Sequence, residues 1–183
     1  MEDLFKEIAE KYNGSLNVSE GRWYNGHGYF PLYVYDVSFT LMGWEFNIWH
    51  ELRSSEFSKS SAIDSGTFSN RHLFGVSVTT TNSALSDFKI ISLFLLYKWI
   101  TKNNKGFKVK TKNKKLKQQL ENMPELKAVY KFTEIDGEFA PELYGVTKNG
   151  IYTLIIRYAT QQKQVELLRN IVSLITKIPE IKT

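Results

Sequence analysis

Residues 29–53 read YFPLYVYDVSFTLMGWEFNIWHELR, and the fold follows from how this stretch doubles back. With Met42-Gly43 as a two-residue turn, Leu41 opposes Trp44, Phe39 opposes Phe46, Val37 opposes Ile48, Tyr35 opposes His50 and Tyr33 opposes Leu52. Side chains alternate along a strand, so all ten point to one face. The other face collects Thr40 with Glu45, Ser38 with Asn47 and Asp36 with Trp49. One aromatic and aliphatic face backed by a mostly polar one is the pattern of an antiparallel sheet with one side packed. A slip of one residue would put the apolar set in water, which fixes the register. Two features strain the reading. A type I′ turn needs positive φ at Met42, which would favour a longer loop. Phe30, Leu32 and Val34 make the start of the first strand apolar on both faces, so something must cover it.

The surrounding composition fits a globular chain. The 183 residues are 42% hydrophobic and 23% charged, enough for one domain with a sizeable core. Aromatic content is high at 14%, and ten of the 26 aromatic residues lie between Trp23 and Trp49. The absence of cysteine excludes disulfides, thiolate metal sites and cysteine nucleophiles, and fits a reducing compartment. Residues 1–12 are amphipathic and acidic, without a signal-peptide core. The longest mainly apolar run, residues 90–100, is interrupted by Lys98 and is far short of the ~20 residues needed to span a bilayer. The expectation is a soluble, cytoplasmic protein with no membrane span.

Working outward, residues 2–12 predict a helix with Leu4, Phe5, Ile8 and Tyr12 on one stripe, closed by Asn13-Gly14. Residues 15–23 predict a strand. Residues 54–70, rich in serine, read as a surface loop. Residues 73–81 return to strand chemistry, and residues 88–100 split into a strand near 88–92 and a second strand or short helix. Phe107, Val109 and Thr111 alternate with lysines in a further strand. Asn113 can cap a helix through Asn122, and Pro124 opens a helical segment to about Phe132. Residues 139–147 and 151–158 flank Asn149-Gly150, the clearest hairpin turn in the chain, in a register that pairs Glu142 with Arg157. A final helix over residues 161–177, with Thr160 as its cap, carries two adjacent apolar stripes suited to lying across a sheet. The fold class is therefore α+β: a single domain with a largely antiparallel sheet and the N-terminal and long C-terminal helices on its apolar face.

Candidate chemistry is sparse. Residues 98–117 hold nine lysines and no acid, while the rest of the chain carries 15 basic and 19 acidic residues, so the positive charge is local. Lys105, Lys108, Lys110, Lys112, Lys114 and Lys115 could bind nucleic acid or an acidic partner. The segment contains no arginine, which bidentate phosphate and base recognition favours, so nucleic acid is the less favoured partner. The competing role is guarding an exposed strand edge. His27, His50 and His72 show no metal-ligand spacing. His50 falls on the packed face beside Tyr35, as a core histidine or as a base near a pocket. Tyr33, Tyr35, Trp44 and His50 could line a site for a small apolar ligand, although an aromatic stripe on a hairpin also serves as core. No nucleophile, phosphate-loop or acid–base motif is present, no cofactor is implied, and no catalytic residue is assigned.

The order HLFGVSVTTTNS (72–83), FKVKTKNKKLKQQLENMPEL (107–126), the hairpin YGVTKNGIYTLIIRY (144–158) and a long C-terminal helix resembles an uncharacterised family of bacterial domains of unknown function, over about residues 73–178. The resemblance implies a bacterial protein in a non-enzymatic or unassigned role, and it carries no catalytic residues to transfer. The functional expectation is a non-catalytic module binding a protein or small apolar ligand through its aromatic-rich sheet. Nucleic-acid or acidic-partner binding through residues 98–117 is the alternative, and an enzyme centred on His50 stands third.

Overall fold

A computed structural model of the chain describes residues 1–24, 28–53, 71–93, 106–132, 141–160 and 164–181. In order these form α1 (Glu2–Tyr12), β1 (Ser15–Tyr24), β2 (Tyr29–Leu41), β3 (Trp44–Arg53), β4 (Arg71–Thr80), β5 (Phe88–Ser92), β6 (Phe107–Thr111), α2 (Lys114–Asn122), α3 (Pro124–Lys131), β7 (Glu142–Lys148), β8 (Ile151–Thr160) and α4 (Val165–Lys177). A short 3-10 turn, Ile178–Glu180, follows α4. All the strands belong to one antiparallel sheet of order β1-β2-β3-β4-β8-β7-β5-β6. The class is α+β, with helices laid on one face of the sheet.

The register of β2 with β3 is the one the alternation predicts, from Leu41 with Trp44 to Tyr33 with Leu52. The turn has two residues, with Met42 at φ 53° and Gly43 at φ 76°. Met42 therefore occupies the left-handed region at a conformational cost, and the strong pairing on either side holds it there. Asn149 and Gly150 form the matching turn between β7 and β8, with φ 53° and 76°, and Glu142 pairs with Arg157.

Following the registers across the sheet gives one continuous aliphatic row: Leu16, Val37, Ile48, Val76, Ile156, Leu143, Ile90 and Val109, one residue from each strand. From Val37 onward every member is at most 2% exposed. Each such side chain contributes about 1.5–3 kcal/mol by burial, which makes this row the spine of the core. The helices cover it. α1 places Leu4, Phe5, Ile8 and Ala9 inward, and Tyr12 stacks on Phe39 at 4.5 Å. Asn13 (φ 51°) ends that helix, and the Gly14 amide donates to the Ala9 carbonyl at 2.8 Å. α2 starts where expected, with the Asn113 side chain accepting from the Leu116 amide at 3.0 Å, and it buries Leu116 and Leu120. α4 buries both of its stripes, Leu168, Val172 and Ile175 with Leu167, Ile171 and Leu174. Arg169 of α4 pairs with Glu7 of α1 at 2.6 Å, joining the two terminal helices.

One cap differs from expectation. Thr160 is the last residue of β8, where it pairs with His72, and α4 begins at Val165 after Gln164, which makes no side-chain cap. Ladder bonding of β8 to β4 claims Thr160 before a helix can. The serine-rich stretch 54–70, residues 94–100 and His27 lie outside the described residues.

Candidate functional site

Four strands place their rings in a ladder on the covered face. Tyr35, His50, Phe74 and Tyr158 are successive register partners across β2, β3, β4 and β8. Their centroids lie 5.8, 4.4 and 4.7 Å apart, each pair stacked. Phe5 of α1 closes over the near end, 5.8 Å from Tyr35 and 6.2 Å from His50. Burial raises the Tyr158 phenol well above its ordinary range, and the same cause raises Tyr130 and Tyr152.

His72 of β4, diagonal to His50, brings its Nδ1 to 3.0 Å from His50 Nε2. One ring must donate and the other accept, so this contact is satisfied with a single proton between them. A second proton would set two donors face to face inside the core. Sequence spacing hid the pairing, because the register of β4 against β3 is set beyond the 54–70 connection. The two rings alone do not make a metal site. Among the described residues no group of three or more histidine, cysteine or acidic side chains is placed to hold a metal ion.

Of the residues expected to line an apolar site, Tyr35 and His50 are brought together. Trp44 lies six residues back along β3, about 20 Å away at strand rise, where it meets the Tyr152 ring edge-on at 5.8 Å. Tyr33 is half-buried one step outside the ring ladder, opposite Leu52 and Glu20. His50 is 0% and Trp44 7% exposed. A general base must come within hydrogen-bond reach of the proton it takes, and His50 has no solvent-exposed surface at which to meet one.

The opposite face carries a different row. Ser15, Ser38, Asn47, Ser77, Ile155, Tyr144, Lys89 and Lys110 are register partners across the eight strands, running from hydroxyl and amide groups to cations. Beyond the β7 end, Lys89 of β5 faces Lys110 of the edge strand β6, and Lys108 lies one step along opposite Ile91. Lys89, Lys108, Lys110 and Lys112 are all exposed. A depression of about 800 Å³ opens there, lined by Asp87, Lys89, Lys110, Lys112, Tyr144 and Val146. Asp87 is already engaged, accepting from the Thr147 amide at 2.8 Å. None of the ion pairs formed among the described residues uses Lys89, Lys108, Lys110 or Lys112.

Lys114 and Lys115 open α2, whose first turn holds no acid. Cations at a helix N-terminus work against the dipole, so this end of the molecule is more positive than its lysine count suggests. Lys117 is partly spent on Glu121, 3.9 Å away. Lys105 lies outside the described residues. Lys89, which completes the cationic row, lies outside the lysine-rich window, and only the β5–β6 register reveals it.

Among the described residues no helix is long and apolar enough to cross a membrane. Comparison with protein families, curated proteins and solved structures gives no match for this chain.

Proposed function

We propose that the protein is a non-catalytic binding module that takes an acidic protein segment on the sheet face that none of the described helices covers, at the β7–β5–β6 end. The observation that carries this reading is the convergence of Lys89, Lys110 and Lys112 around a depression that Tyr144 also lines, with Lys108 one step along β6. The lysine stems and the ring offer apolar contact, and the ammonium groups offer charge. An acidic chain suits a patch of flexible point charges better than a duplex does, since the patch lacks the planar fork that reads phosphates and base edges. The aromatic residues of the other face support the module as its scaffold. A cytoplasmic setting belongs to the same proposal.

The test is a fluorescence-anisotropy titration with a labelled glutamate-rich peptide, run beside a labelled DNA duplex. Binding to the peptide should weaken as salt rises, and the triple variant K89E/K110E/K112E should lose at least about tenfold in affinity while melting like the wild type. Unchanged affinity in the triple variant, or tighter binding to the duplex than to the peptide, would overturn the reading.

A further inference from the structure

The two rims of the sheet are finished differently. β6 is five residues long and carries Lys108 and Lys110 among them, the usual devices that keep a rim from recruiting stray strands. β1 has none of these. It runs ten residues without proline or lysine, its ladder to β2 pairs every residue from Ser15 with Ser38 to Tyr24 with Tyr29 without a bulge, and nearly all of it is exposed. Among the described residues no strand lies on its outer side. Val18 and Tyr24, 43% and 59% exposed, are large apolar side chains standing on this bare rim.

We propose that β1 pairs antiparallel with β1 of a second copy of this chain, about a two-fold axis at Gly21, joining two eight-stranded sheets into one. The residues of β1 are complementary to themselves about that point. Glu20 falls opposite Arg22 of the second copy, and Arg22 opposite its Glu20. One step further out, Val18 falls opposite Tyr24, and Tyr24 opposite Val18. All four side chains lie on the same face, because residues of even number share it. Only registers whose opposed residue numbers have an even sum bring outward peptide groups together. The two neighbouring registers of that kind place Glu20 on Glu20 or Arg22 on Arg22, like charges directly opposed. The sequence of this strand therefore selects one alignment and rejects the adjacent ones.

The described residues leave room. α1 leans on Tyr35, the partner of Val18, and on Phe39, one residue past the Ser15–Ser38 end of the ladder, while the axis lies at Gly21 opposite Leu32. The two copies of α1 thus fall on opposite sides of the axis. The lysine surface lies at the far rim, so this inference stands apart from the proposed function.

Sedimentation equilibrium on the full chain tests it. The wild type should show a dimer population that grows with concentration. E20R sets two arginines against each other at each pair and R22E sets two glutamates, and each should weaken association roughly tenfold or more. The double variant E20R/R22E should regain the wild-type association, and an equimolar mixture of E20R with R22E should associate although neither does alone. Both positions are exposed, so melting curves should match the wild type and separate lost pairing from lost folding. A wild type of monomer mass at every concentration, single swaps that leave the dimer intact, or a mixture that stays monomeric would each overturn the proposal.

Discussion

The same strands build both faces of this sheet, yet the two faces are held by different means. Beneath the helices, the row from Val37 to Val109 is sealed from water, and Phe46 stacks on Phe39 at 4.7 Å. On the other side the equivalent row runs from Ser15 to Lys110, and hydrogen bonds are its main lateral contacts, such as Asn47 Nδ2 to both Asp36 oxygens at 3.0 Å. Trp49 departs from this, lying over Gly75 so closely that a Cβ there would sit 2.2 Å from its Cε2 atom. Alternation along a strand tells which residues share a side. Whether a side becomes core depends on which helices return to it.

The largest test of this contrast is truncation on each side. Phe46→Ala should cost about 3–5 kcal/mol in urea unfolding, as for a buried aromatic, whereas Val34→Ala, half-buried on the opposite side, should cost under about 1 kcal/mol. Similar losses at the two sites would erase the distinction. Gly75→Ala probes the exception and should cost about 1–3 kcal/mol, because Trp49 must move aside, with a matching change in near-ultraviolet circular dichroism. A neutral result would show that Trp49 is not fixed there.

At the turn where both faces reverse, Met42→Asn should add about 0.5–1 kcal/mol, since asparagine tolerates positive φ and Asn149 already does so in the twin turn. An unchanged midpoint would mean that Met42 bears no backbone cost.

The smallest effect concerns the rim of the covered side, where Lys177 pairs with Glu125 of α3. Burial works to raise the Glu125 carboxyl, but the hydrogen bond from Lys177, a backbone hydrogen bond and the Lys177 charge outweigh it and hold the group below the usual carboxylate range. The hydrogen bond and charge of Glu125 raise Lys177 in turn. A lowered carboxyl contributes stability above its unfolded value and loses it as pH falls through the folded one. Lys177→Gln should therefore lower the melting temperature slightly at neutral pH, and the difference should vanish in acid. A difference that persists in acid would assign it to something other than this pair.

Much of this was legible because period-two patterning is a local signal. The β2–β3 register, the Asn149-Gly150 turn, the Glu142–Arg157 pair and the Asn113 cap each depend on residues close in sequence. The strand order was not legible. β4 meets β8 across a long separation in the chain, and no short-range pattern states that choice. The same gap concealed the His50–His72 contact, the Trp49–Gly75 overlap and the place of Lys89 beside Lys110, all of which arise from registers between distant segments. The aromatic stripe is legible as one face, but its depth beneath Phe5 comes from a helix whose landing place the hairpin alone does not reveal.

The β4–β8 pairing also favours one order of assembly. As the chain leaves the ribosome, β1 to β4 can zip together as a simple meander, while the inner margin of β4 stays raw until β8 has been synthesised. β8 reaches that margin tied to β7, which brings β5 and β6 with it. Two half-sheets can thus meet along a late seam, with α4 following β8 in the chain. A slow final step on that scale is what high sequence separation imposes.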